Sequence, residues 1–100
     1  MKIEIRSRGV TLTKKQSLRL QRDLGVVFAR FGERIDRVTV AVSASATIGF
    51  TSCEIEVQIK PKLVSVVYAD RDVFVAVEYA AKRAARSVSR AIDIEGLMRR

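Results

Sequence analysis

Histidine is missing from this chain of 100 residues, and cysteine occurs once, at Cys53. Without histidine there is no imidazole general base and no Ser-His or Cys-His pair for nucleophilic catalysis. One cysteine cannot form an internal disulfide, and without histidine it cannot build a structural zinc site. The five glycines stand apart and form no phosphate-binding loop. These absences predict a protein that is not an enzyme and has no metal site, cofactor or small-molecule substrate.

Long apolar runs are also missing. The first ten residues, MKIEIRSRGV, alternate charged and apolar side chains and lack the apolar stretch of a signal peptide. The longest uncharged run, Val38 to Cys53, is rich in Ser, Thr and Gly, which indicates a hairpin and not a membrane span. A single cysteine is typical of a reducing compartment. We therefore predict a cytoplasmic protein with no membrane partner.

Positive charge is what the chain has in excess. Nineteen Lys and Arg against eleven Asp and Glu give a net charge of +8, with a pI near 10.4 and 48% apolar residues. The length and apolar content fit one globular domain over residues 1–100. Such a charge favours a polyanionic partner, first nucleic acid and second an anionic membrane surface. The simpler alternative is a basic protein that uses its charge only for solubility.

Hydrophobic periodicity predicts the element order β-α-β-β-β-α, an α+β fold. Strands are expected near 2–6, 38–43, 53–60 and 63–69, with one helix from about 14 to 31 and another after residue 72. Thr13 is the expected N-cap of the first helix, Gly32 its end, and Asp70 or Asp72 the cap of the second. A helical crossover makes the first two strands parallel, and short turns make the other pairs antiparallel. The prediction is a four-stranded mixed sheet with two helices packed on one face.

Counting about 100° per residue places basic side chains opposite the apolar stripe of both helices. The outer sheet face is expected to be mixed, with Lys2, Arg6 and Lys60 against three glutamates, and Cys53 is expected to be a buried thiol. Tyr79 could stack on a nucleobase, lie along the helix surface or meet a partner chain. Arginine and lysine on a helix face bind phosphate groups well. The candidate RNA-binding residues are Lys15, Arg19, Arg22, Arg30, Tyr79, Lys82, Arg83, Arg86 and Arg90.

Three segments give the chain a family resemblance: RGVTLT at 8–13, FGERIDRV at 31–38 and DVFVAV at 72–77, followed by Arg83, Arg86 and Arg90. In order and spacing they resemble the ribosome hibernation promoting factors, also called ribosome-associated inhibitors or ribosomal subunit interface proteins. The resemblance implies a stress-response protein that binds rRNA of the small ribosomal subunit in the mRNA and tRNA channel. Translation would then be inhibited by occlusion. Long members carry a C-terminal dimerisation domain, which is expected to be absent here.

An alternative interpretation is a protein-interaction module that dimerises through exposed strand edges and binds other RNA through its basic helices. The oligomeric state is left open by the sequence. So are the specific rRNA contacts, the physiological trigger, and whether ribosomes are paired or only silenced.

Overall fold

A computed structural model describes residues 1–98 of the chain, with side-chain surroundings through residue 94. Positions 99 and 100 of the predicted domain lie outside the described residues. The elements follow the predicted order, with a 3₁₀ turn at Ala29–Arg34 between the first helix and the second strand. They are β1 Lys2–Arg8, α1 Lys14–Phe28, β2 Arg37–Ala44, β3 Thr51–Ile59, β4 Lys62–Asp70 and α2 Val73–Met98.

The four strands form one sheet in the order β1-β2-β3-β4. β1 runs parallel to β2, with Ile3 beside Val38, and the other neighbouring pairs are antiparallel. Both helices lie on the same face of this sheet, so the predicted α+β architecture is confirmed. The other face, which we call the outer sheet face, is open to solvent. No described helix is both long and apolar enough to cross a membrane.

The core lies between the sheet and the two helices. α1 contributes Leu20, Leu24 and Phe28, while β2 and β3 contribute alternate Val, Ile and Cys side chains. α2 contributes small residues at its centre, and Ala76, Ala80 and Ala84 are all fully buried. Small side chains let this helix lie close to the sheet, since close-packed interiors leave few voids. One face of each helix is thereby fixed inward, which leaves the opposite face for solvent.

Side-chain caps set the start of both helices. Thr13 Oγ1 accepts a hydrogen bond from the Gln16 N–H (3.1 Å), and Gln16 Oε1 accepts one from the Thr13 N–H (2.9 Å), a complete capping box. At the second helix, Asp72 Oδ1 accepts from the N–H groups of Phe74 and Val75. Asp70 accepts in turn from the Asp72 N–H at 2.9 Å. The structure therefore decides between the two predicted caps in favour of Asp72.

Several predicted boundaries were wrong, among them the end of β1 and the end of the first helix. β1 does not end at Arg6 but continues to Arg8, because parallel pairing with β2 extends to Arg8 beside Ser43. The α-helix ends at Phe28 and not at Gly32, and the chain continues as the 3₁₀ turn, a common way for a helix to tighten at its end. Gly32 lies inside that turn at φ 54° and ψ −131°, a conformation that only glycine adopts without strain.

Candidate nucleic-acid interface

All nine candidate residues are exposed, and all lie on the side of the molecule formed by the helices. We call α1, the 3₁₀ turn and α2 together the helix layer. Three candidates belong to α1, five to α2, and Arg30 to the 3₁₀ turn rather than to the helix predicted for it. Over Lys14–Phe28 and residues 73–94, eight Lys and Arg stand against three carboxylates. The expected cationic face is therefore present as a surface, while the RNA-binding role of each residue stays a prediction.

Two grooves between α1 and α2 bring some of these residues together. The first, of about 280 Å³, includes Arg19, Lys82 and Phe74 among its lining residues. The second is a shallower depression lined by Val27, Arg30, Tyr79, Lys82, Ala85 and Arg86. Lys82 borders both. The remaining candidates, Lys15, Arg22, Arg83 and Arg90, line neither groove and lie elsewhere on the helix layer.

Arg19 joins the two helices. Its guanidinium carbon lies 4.3 Å from the centroid of the Phe74 ring at the start of α2, a cation–π contact. Asp23 lies between Arg19 and Arg22, with nitrogen–oxygen distances of 3.9 and 3.7 Å. All three side chains are more than half exposed, so these long ion pairs contribute little to stability. Arg22 can therefore turn toward a phosphate at small cost, whereas Arg19 would also have to leave the Phe74 ring.

Tyr79 has an aromatic partner within the protein. Its ring stacks on Tyr68 of β4 at a centroid distance of 5.3 Å and an interplanar angle of 29°. Lys82 Nζ lies 5.5 Å from the same ring and 3.1 Å from Glu78 Oε1. Tyr79 still exposes 48% of its surface. A nucleobase could use only the part of the ring that Tyr68 leaves uncovered.

Three arginines of α2 form a row along its solvent side: Arg83, Arg86 and Arg90, which we call the α2 row. The spacing of three and four residues keeps them on one side of the helix over about 10 Å. Within the described residues, no carboxylate lies within ion-pair distance of any of the three. Lys15 is likewise without an ion pair there, and Arg30 lies over the Phe31 ring at 4.6 Å. An unpaired guanidinium can bind phosphate without first losing a protein partner.

The outer sheet face carries charges of both signs. Lys2, Arg6, Arg8 and Arg37 project from β1 and β2, while the acidic residues are Glu4, Glu54 and Glu56. Arg6 Nε donates to Glu4 Oε1 at 2.9 Å, and this hydrogen bond lowers the pKa of the Glu4 carboxyl below its ordinary value. The face is therefore close to neutral, as expected.

Its membership differs from the prediction in three residues. Lys60 is not on this face, because β3 ends at Ile59 and Lys60 lies in the following turn, 3.9 Å from Asp36. Arg8 and Arg37 were missed because the predicted β1 ended two residues too early and the predicted β2 began one residue too late. Lys2 and Arg37 are register partners, so two like charges lie side by side at this end of the sheet. With the correct strand boundaries, the alternation of side chains would have placed both arginines on the outer sheet face.

Cys53 is buried in β3, as predicted. Burial raises the pKa of its thiol from 9.0 to about 12, with a smaller contribution from the neighbouring Glu54 charge. A protonated, buried thiol is neither a nucleophile nor a metal ligand. No group of three or more His, Cys, Asp or Glu side chains in the described part of the chain is placed to hold a metal ion. The exposed Lys and Arg side chains of the helix layer can bind anions.

Comparison with known proteins identifies the fold. No protein-family model matches the sequence, and no curated protein matches it significantly. Among solved structures, the fold is similar to the N-terminal domain of Protein Y from Thermus thermophilus (TM-score 0.74, 23% identity, 90% of this chain and 98% of that chain). It is also similar to a ribosomal subunit interface protein from Coxiella burnetii (TM-score 0.78, 11% identity, 93% of this chain and 99% of that chain). The fold expected from the sequence resemblance is thereby confirmed.

Proposed function

We propose that this chain is a member of the ribosome hibernation promoting factor family and binds the ribosome through its helix layer. Two observations support the family: the three sequence segments with their α2 arginines, and a fold shared over at least 90% of the chain with a ribosomal subunit interface protein and a Protein Y domain. The observation that carries the ribosomal role is the α2 row, three exposed arginines without carboxylate partners among the described residues, on the cationic side of that fold.

The partner that this surface fits is rRNA. A phosphate backbone presents many negative charges at short intervals, and each Lys or Arg that contacts it releases condensed counterions. Arginine adds a planar fork that can bind one phosphate with two hydrogen bonds. Because the outer sheet face is nearly neutral, the electrostatic attraction orients the molecule with its helices toward the RNA.

Inhibition of translation would follow from position alone. A folded domain of this size bound in the small-subunit channel would exclude mRNA and tRNA from the same space. No covalent step is required, which agrees with a chain that has no histidine and one buried thiol. Such a protein would act in the cytoplasm.

Co-sedimentation with purified ribosomes and isolated small subunits across a salt series tests the proposal. With four to six phosphate contacts, log affinity should fall linearly with log salt at a slope of about −3 to −5. An in vitro translation reaction at low salt should lose activity in proportion to the bound protein. Absence of binding at low salt, or binding that is independent of salt, would refute the proposal.

A further inference from the structure

The open edge of β4 differs from the open edge of β1. The β1 edge carries alternating charges at Lys2, Glu4, Arg6 and Arg8, which is how natural sheets prevent pairing between molecules. β4 has charges only at its ends, Lys62 and Asp70, with seven uncharged residues between them. Leu63 and Val67 are 55% and 53% exposed on its outer side. The described residues place no further strand beside β4.

The direction of the backbone groups on β4 follows from one hydrogen bond. The Gln58 carbonyl accepts from the Asp36 N–H at 2.9 Å, so the backbone of Gln58 faces β2. Backbone groups alternate sides along a strand, so Val57 and Ile59 face β4, where their partners are Val64 and Lys62. The intervening β4 residues therefore direct their N–H and C=O groups to the open edge. These are Leu63, Ser65, Val67 and Ala69.

We infer that β4 is a self-complementary edge at which a second copy of this chain pairs antiparallel, with Val66 opposite Val66 on the two-fold axis. This register pairs all nine residues of β4. Residues whose N–H and C=O groups point to the open edge then face each other and can exchange hydrogen bonds, Leu63 with Ala69 and Ser65 with Val67. It also places Lys62 of each copy opposite Asp70 of the other. An antiparallel ladder with opposite charges across both ends is specific to this register.

The helix side of the same edge is incompletely covered. Val64, Val66 and Tyr68 are only half-buried, whereas Ile55 and Val57 of the adjacent strand are fully buried. Pairing at the inferred register places Val64 of one copy beside Tyr68 of the other and closes this side of the core. The product is a continuous eight-stranded sheet. This inference is independent of ribosome binding, which rests on the helix layer.

Charge substitutions at the two strand ends test the register. Lys62→Asp alone places two pairs of carboxylates opposite each other, and Asp70→Lys alone places two pairs of ammonium groups opposite each other. An equimolar mixture of the two variants restores both opposite-charge pairs in a heterodimer. Sedimentation velocity over a protein concentration series should show a dimer for the unaltered chain, monomers for each variant, and a dimer for the mixture.

General charge repulsion predicts a different pattern. Each copy carries +8, and Lys62→Asp lowers that net charge by two, so a non-specific association would become stronger in this variant. The register predicts that it becomes weaker. A further pair, Ser65→Pro and Ser65→Ala, tests the ladder, because Pro removes an edge-directed N–H that Ala keeps. Circular dichroism verifies that each variant folds.

The possible outcomes of these experiments either establish or overturn the β4 pairing. Dimerisation lost in Lys62→Asp and Ser65→Pro, kept in Ser65→Ala and recovered in the mixture establishes the pairing. A monomer at every concentration of the unaltered chain, or variants that dimerise as the unaltered chain does, overturns it. Neither result changes the expected ribosome co-sedimentation, so the two proposals fail separately.

Discussion

Two glycines, Gly25 and Gly32, have opposite conformational requirements. Gly25 lies within α1 at an ordinary helical φ, and a Cβ added there would meet Ile3 Cδ1 at 3.9 Å, a normal contact. Gly25→Ala should therefore raise the free energy of unfolding by about 0.5–1 kcal/mol, since alanine is the better helix former. Gly32→Ala should lower it by about 1 kcal/mol or more, because φ is 54° there.

Urea unfolding of both variants measures these changes. A Gly25→Ala variant less stable than the original chain would mean that this part of α1 packs more tightly against β1 than described. A Gly32→Ala variant of unchanged stability would mean that the 3₁₀ turn does not require a positive φ.

The buried thiol of Cys53 makes a second prediction at the residue scale. With the pKa raised to about 12, the folded protein holds this thiol protonated at pH 8, and solvent does not reach it. A colourimetric disulfide reagent should therefore react with the unfolded chain within minutes and with the folded chain only as fast as it opens. Between pH 9 and 12 the unfolded chain releases this proton while the folded chain retains it, so this group lowers stability as pH rises. Rapid labelling of the native protein would contradict the described burial.

At the scale of elements, the start of α1 depends on a reciprocal pair of hydrogen bonds between Thr13 and Gln16. Thr13→Ala removes the hydroxyl acceptor and should lower the free energy of unfolding by about 1 kcal/mol. Thr13→Ser keeps the acceptor and is the matched control, with a change of a few tenths of a kcal/mol. Urea unfolding distinguishes them. Equal stability of the Ala and Ser variants would show that the cap is not formed in solution.

Local patterns were sufficient to predict which elements form, but not where they end. Alternation in β2 and the apolar stripes of both helices report burial directly, so the elements could be predicted. The parallel first pair followed from the helical crossover, and the antiparallel pairs followed from the short turns. The end of β1 could not, because Ser7 and Arg8 are drawn into the sheet by pairing with residues far along the chain. The 3₁₀ turn at Ala29–Arg34 likewise depends on how α1 meets β2, which no local pattern records.

The same limit applies to the candidate site. Helical periodicity predicted that the basic residues are exposed, and every one of them is. It could not predict that Arg19 lies on Phe74, that Asp23 is shared by two arginines, or that Tyr79 stacks on Tyr68. These contacts join different elements or depend on rotamers. They matter because they distinguish two kinds of cation. Arg19 and Arg22 already contact other side chains of the protein, whereas the arginines of the α2 row have no such partners among the described residues.

At the scale of the whole molecule, the two faces of the protein differ in charge. The helix layer has a clear excess of positive charge, whereas the outer sheet face carries four cations against three carboxylates. Net charge alone would attract RNA to any side of a protein at +8. If the protein docks specifically through its helices, removing positive charge from the helix layer weakens ribosome binding more than removing the same charge from the outer sheet face.

Two double charge reversals measure this asymmetry. Arg83→Glu with Arg86→Glu changes the helix layer, and Arg8→Glu with Arg37→Glu makes the same change in net charge on the outer sheet face. All four side chains are exposed, so both variants should fold, as circular dichroism can verify. In ribosome co-sedimentation at one fixed salt concentration, we expect the first variant to lose binding and the second to retain most of it. Equal loss in both variants, or normal binding by the first, would contradict docking through the helices.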